Sequence, residues 1–211
     1  MLIGPDYLYK CPRCGRTVKK GSLSSGNTFG ATFYSDGRFF APMYQQYPEI
    51  TKCLSCGEIF WLDDGALVGM AYPYEPETPE WENAPSAEYL SLDDNFVAID
   101  NKIFRSAEEE IYLRVRIWWA YNDRVRRKAR RFTGKDDKQR WESNCNALID
   151  LLNPHNIDHT LMLVELHRNL GRFTEALQIA ETIPSDNYPA FKAQQLLHCR
   201  LRRKRVFRIK E

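Results

Sequence analysis

The sequence predicts an α+β protein, with a small β-rich N-terminal third followed by an all-α remainder. Three observations predict it. Two Cys-x-x-Cys-Gly segments lie within a stretch rich in glycine and aromatic residues. Prolines and acids then crowd residues 71–86. From about Ser86 on, apolar residues recur at spacings of three and four, and only Pro154, Pro184 and Pro189 remain.

In the N-terminal third, Tyr7 to Lys10 reads as a short strand entering the first cysteine pair, and Glu58 to Leu62 as one leaving the second. Between the pairs, the runs Thr28–Tyr34 and Arg38–Met43 flank Ser35-Asp36-Gly37. An Asp-Gly turn between strand-like runs signals a hairpin, because glycine accepts positive φ without strain.

The two cysteine segments are Lys10-Cys11-Pro12-Arg13-Cys14-Gly15 and Lys52-Cys53-Leu54-Ser55-Cys56-Gly57. Two residues between cysteines let one tight turn aim both sulfurs at a common point. Two such turns make a tetrahedral site of four thiolates, which leaves no position for water. The ligand set Cys11, Cys14, Cys53 and Cys56 therefore predicts one structural zinc ion and a zinc ribbon with an inserted hairpin. Other readings are a pair of disulfides, a redox Cys-Pro-x-Cys motif, and iron in place of zinc. No export signal supports disulfides, and no βαβ pattern surrounds the redox motif. Cys145 and Cys199 stand alone on helical stretches and read as core residues.

Residues 71–86 hold Pro73, Pro76, Pro79 and Pro85, which argue against regular structure. An extended linker is expected there, with Trp81 pinning it to a neighbouring surface. Beyond it, Ser106-Ala107-Glu108-Glu109 reads as a capping box opening a long helix. Ile111, Val115, Trp118, Asn122, Val125, Ala129 and Phe132 form one face about six turns long. Further helices are expected at about 136–152, 159–170, 174–183 and 189–206, with Asp158 as a cap and Pro189 in a first turn.

The net charge of +2 conceals an asymmetry. Residues 1–52 carry seven basic and three acidic side chains, residues 53–101 none and eleven, and residues 102–211 twenty-three and fourteen. The acidic middle either faces the basic C-terminal part or is a solvated surface. No apolar run approaches the roughly 18–20 residues that span a bilayer. Met1 to Asp6 lacks the features of a signal peptide, so a cytoplasmic protein is expected.

Two features bear on partners. The hairpin region carries Phe29, Phe33, Tyr34, Phe39, Phe40, Tyr44 and Tyr47 near Arg13, Arg16, Lys19 and Lys20. These aromatics fill a core or stack on single-stranded nucleic acid. The long helix carries Arg124, Arg126, Arg127, Arg130 and Arg131, and the C-terminus a second basic run. With Phe39 and Tyr44 these arginines are the candidate binding surface; complementing helix C-termini is their simpler role.

Gly171-Arg172-Phe173-Thr174-Glu175-Ala176-Leu177 and Ala180 resemble the second half of a tetratricopeptide repeat, with glycine at the turn and alanine where helices cross. The resemblance covers one copy and implies peptide or protein binding. The whole chain resembles an uncharacterised group of bacterial zinc-ribbon proteins, through the C-x-x-C pairs, Ser25-Gly26-Asn27-Thr28-Phe29-Gly30-Ala31, Ser35-Asp36-Gly37, Ala41-Pro42-Met43 and Trp118-Trp119. That resemblance implies the two-part layout and a cytoplasmic setting.

The expected organisation is a ribbon domain at 1–70, an acidic proline-rich linker at 71–86, and a helical domain at 87–211 with the tetratricopeptide-like hairpin at about 159–183. No nucleophile elbow, HExxH helix, phosphate loop or dinucleotide fingerprint occurs. His155 and His159 read as surface residues of a loop and helix start. The leading expectation is a non-catalytic protein–protein interaction module: an adaptor, regulator or inhibitor-type partner without a small-molecule cofactor. Nucleic-acid binding through ribbon aromatics and basic helix is the alternative, and an enzyme with a dispersed site the third.

Overall fold

The computed structural model describes residues 1–63, 65–72, 79–184, 186 and 188–210. Pro73 and Pro76 of the proline-rich segment lie outside the described residues. The elements run β1 (Leu2–Ile3), β2 (Asp6–Lys10), β3 (Thr17–Lys20), β4 (Leu23–Ser25), β5 (Thr32–Phe33), β6 (Phe39–Phe40), β7 (Ile50–Lys52), β8 (Ile59–Trp61) and β9 (Leu67–Ala71). The helices are α1 (Pro79–Glu82), α2 (Leu92–Asp100), α3 (Ala107–Arg126), α4 (Lys135–Leu151), α5 (Ile157–Leu170), α6 (Phe173–Thr182) and α7 (Pro189–Arg200). The architecture is α+β, as the sequence predicts.

The chain forms two compact units, Met1–Ala31 with Ala41–Ile103, and Thr32–Phe40 with Phe104–Glu211. These boundaries differ from the expected ones at 70 and 86. The cause in the first unit is backbone stitching. Lys19 N–H donates to Pro85 O at 2.8 Å, and Ala87 N–H to Lys19 O at 2.6 Å, so residues 85–87 are held against β3 by one parallel bridge. The Trp61 indole donates to Ile103 O, 2.8 Å away. Phe96 and Ala98 of α2 are buried. Part of the expected linker is thus an extended strap, preceded by the single turn of α1. Trp81 pins it as expected: its ring covers Gly69 of β9 so closely that a Cβ there would meet it at 2.7 Å.

The first unit is built on antiparallel strand pairs. β2 pairs with β3 and with β9 in the order β3-β2-β9, β7 pairs with β8, and β1 with β4. Tyr9, Val18, Phe60 and Leu62 pack with Cys11 and Cys53 into one buried cluster.

The second unit packs α3 on α4, α5 on α6 and α6 on α7. Trp118, Tyr121, Trp141, Cys145 and Leu148 lie in its interior. Ser106 Oγ caps α3 by accepting from Glu109 N–H at 3.3 Å. The capping box is displaced by one residue, because the Glu109 carboxylate takes the Arg105 N–H instead, at 2.6 Å. Asn156, not Asp158, caps α5, accepting from Asp158 and His159 amides. Helix α3 stops at Arg126, so Ala129 and Phe132 lie beyond it. Lys128 adopts φ +60°, with Lys128 N–H bonded to Val125 O and Ala129 N–H to Arg124 O, a Schellman ending without glycine.

The β5–β6 hairpin, drawn from between the two cysteine pairs, belongs to this helical unit. The C-terminal segment joins it by one antiparallel bridge, through Ser35 N–H to Phe207 O and Ile209 N–H to Phe33 O, both 2.9 Å. Its turn is buried. Asp36 accepts from Arg126 and from Asn122 Nδ2 (2.8 Å), while its carbonyl takes the Trp119 indole N–H at 2.9 Å. Beneath it Glu165, Arg168, Asn169 and Gln195 are fully enclosed and joined to one another by hydrogen bonds. Ion pairs buried this way are stable only when fully hydrogen-bonded, so this network locks the hairpin in one position.

Candidate metal centre

Two hairpin tips build the site. Each follows the same local course: strand, Cys-x-x-Cys-Gly turn, strand. In the first, Gly15 N–H donates to Cys11 O and Cys11 N–H to Arg16 O, both 2.9 Å. In the second, Gly57 N–H donates to Cys53 O at 2.9 Å and Cys53 N–H to Glu58 O at 2.7 Å. Gly15 and Gly57 sit at φ +72° and +76°, where a side chain strains the backbone. That left-handed step lets the chain fold back while its amides point at sulfur.

The four sulfurs converge. All lie within 4.8 Å of one another. Cys11 Sγ is 3.6 Å from Cys56 Sγ, and Cys14 Sγ is 3.7 Å from Cys53 Sγ. A tetrahedral ion with metal–sulfur bonds of about 2.3 Å requires sulfur–sulfur edges of about 3.8 Å. A disulfide requires about 2 Å. The close approaches also run between the two turns. This is a metal-ligand arrangement, and the four cysteines can hold one metal ion.

Proton affinities explain why a cation suits them. Burial raises the Cys11 thiol, partly offset by the Cys14 and Arg13 amides. Burial also opposes ionisation of Cys53, but the amides of Cys56 and Ser55 and the Cys14 thiol outweigh it and bring Cys53 to about 7. The Glu58 amide favours a Cys56 thiolate, yet burial and the three neighbouring sulfurs push Cys56 up to about 12. One negative charge is welcome in the cluster and further ones repel it. A divalent cation removes that repulsion and takes the place of the remaining protons.

The first cysteine of each turn is buried and Cys14 reaches the surface. Arg13 and Glu58 bridge the turns at 3.7 Å, in an exposed pair that adds at most about 1 kcal/mol.

Comparison of the chain with family models, with curated proteins and with solved structures finds no match in any of the three.

The other expected binding residues differ in unit and in exposure. Phe39 and Tyr44 belong to different compact units. Arg126 is nearly enclosed, paired with Asp36 and with Asp123 (2.5 Å). Arg124 pairs with Asp137 at 2.8 Å, and Arg114 with Glu110 at 2.6 Å. Arg131 is half-buried, while Arg127 and Arg130 are exposed. In the first unit, Lys20 pairs with Glu49 and Lys52 with Asp94. His159 Nδ1 accepts from Asn153 N–H at 3.0 Å, an interaction local to the start of α5. No helix among the described residues is long and apolar enough to cross a membrane.

Sequence reasoning missed the burial of Asp36. Its partners Asn122 and Arg126 lie 86 and 90 positions away, so no local signal could reveal them. It also missed how Ser25 to Ala31 and Ala41 to Met43 fold together. Asn27 N–H donates to Met43 O at 3.2 Å, and Gly30 lies against Pro42.

Proposed function

We propose that this chain is a non-catalytic protein-binding module, an adaptor, regulator or inhibitor-type partner, whose N-terminal unit is a zinc ribbon. Zinc suits a closed set of four soft thiolate ligands with no redox partner beside it. Four protein ligands leave no position for water, so the ion acts in folding. Reduced thiolates belong in a reducing compartment, which supports a cytoplasmic setting.

One observation carries the interaction reading. Phe29 is 82% exposed on a loop braced by the Asn27–Met43 and Gly30–Pro42 contacts, beside exposed Met43 and Tyr44. Large apolar side chains gathered on a braced surface are the usual anchors of protein recognition. The residues carrying the resemblance to the bacterial ribbon group include this same loop pair. The α5–α6 hairpin, with Ala176 and Ala180 at 0% exposure where the helices pack, supports the tetratricopeptide-like reading.

The test is a photo-crosslinker placed at position 29 and activated in a lysate of the native host. A single protein captured with and without nuclease, and lost when Met43 and Tyr44 are both replaced by alanine, supports the reading. No crosslinked protein, or capture that nuclease abolishes, overturns it.

A further inference from the structure

The end of α3 and the C-terminal segment border a half-open cleft of about 630 Å³. Lys128, Arg130, Arg131, Lys204 and Arg205 line it, with Phe132, and no acidic side chain among the described residues does. That volume falls in the ordinary range for small-molecule sites.

Charge is the first argument. None of Lys128, Arg130, Arg131, Lys204 and Arg205 has a carboxylate ion-pair partner among the described residues. Helix C-termini attract cations, and three lie nearby. Helix α3 ends two residues before Lys128, α7 ends four before Lys204, and Gly171 at the end of α5 lies against Lys204. Each C-terminus is worth about half a negative charge, so three supply about −1.5 against five positive charges. Roughly three to four positive charges remain unbalanced.

Rigidity is the second argument. Arg131 Nη2 donates to Lys204 O at 3.4 Å, joining the two walls. Its guanidinium lies 5.2 Å from the Trp141 ring centre. Burial, with Arg168 and Arg205 nearby, lowers its proton affinity, while Glu165 opposes this. Phe132 is fixed by Trp141 and Tyr121, with ring centres 5.1 and 5.9 Å away.

Backbone strain is the third. Lys128 holds φ +60°, where glycine is the least costly residue. Lysine at this position places a cation in the cleft at some cost in local stability.

We propose that this cleft binds an oligophosphate anion, a chain of three or so linked phosphates carrying about four negative charges, through Lys128, Arg130, Arg131, Lys204 and Arg205. Such a ligand neutralises the residual charge and fits a half-open cleft of this volume. A nucleic-acid strand calls for a basic track, and Arg114, Arg124 and Arg126 of α3 are committed to internal carboxylates. Free tripolyphosphate and a nucleoside triphosphate share this chemistry. In the second case the base lies on Phe132.

The test is calorimetric titration of the full-length, metal-loaded protein with inorganic tripolyphosphate and with ATP at low salt. Saturable binding with one site per chain is expected. Lys128→Gly should weaken it at least tenfold while leaving the melting temperature unchanged or higher. Arg205→Ala should also weaken it. Equal affinity for both probes assigns the site to the phosphate chain alone. Tighter ATP binding, lost in Phe132→Leu, assigns it to a nucleotide. Either result supports the proposal. Absence of saturable binding, affinity unchanged in both cation variants, or a single-stranded RNA 20-mer that binds without competition from tripolyphosphate overturns it.

Discussion

One guanidinium nitrogen of Arg126 donates to both carboxylate oxygens of Asp36, 90 positions earlier in the chain. The Asp36 side chain is 0% and that of Arg126 7% exposed. This pair fastens the turn of the β5–β6 hairpin to helix α3. Removing one partner leaves a buried charge unmatched, which costs about 3–5 kcal/mol. Asp36→Ala and Arg126→Ala should each destabilise the protein by that order in urea unfolding. The double variant should lose clearly less than the sum of the two. Strict additivity would show that the pair does not act as a unit.

Asp137 gives a pH dependence. Burial opposes its charge, but donors from Tyr121 (2.5 Å), Thr133 (2.8 and 3.1 Å) and Arg124 (2.8 Å) outweigh it and lower the carboxyl from 3.8 to about 2. A depressed folded value contributes stability that is present above pH 3.8 and lost as pH falls towards about 2. Unfolding followed by helix ellipticity should show stability falling across this window. Asp137→Asn should be less stable than wild type at pH 6, by about 1–3 kcal/mol, and the gap should close near pH 2. A constant gap would contradict the assignment.

Gly171 ends α5 at φ +85°, with Lys204 Nζ 2.4 Å from where a Cβ would stand. Gly171→Ala should destabilise the helical unit by about 1–2 kcal/mol, through left-handed strain and displacement of Lys204. It should lower the melting temperature without changing metal content. An unchanged melting temperature would show that the turn relaxes freely.

What the sequence disclosed depended on how local the cause was. The Cys-x-x-Cys-Gly turns, the Asp-Gly turn, the Ser106 cap and Pro189 in the first turn of α7 depend on neighbours a few residues away. All can be read directly. Helix α3 was expected to run on to Phe132 because its ending uses Lys128 where glycine is the usual signal. Strands β3, β7 and β9 escaped notice because Thr17–Lys20, Ile50–Lys52 and Leu67–Ala71 are short and alternate weakly. The assignment of 32–40 to the helical unit was invisible for a third reason. It rests on Arg126, Arg168, Gln195 and Phe207, all of them distant in sequence.

The central claim is that four sulfurs, two from each of two distant turns, hold one metal ion that the N-terminal unit needs in order to fold. A unit of this size with short strands has a limited core, and such ions contribute on the order of 10 kcal/mol or more. The most direct measurement is elemental analysis of the purified chain beside Cys11→Ser and Cys53→Ser, with visible absorption to distinguish iron from zinc. The account predicts about one zinc per chain in the wild type, a colourless protein, and little metal in either variant, whose N-terminal unit becomes sensitive to protease. Wild-type protein without metal, or variants that retain the same amount, would contradict it.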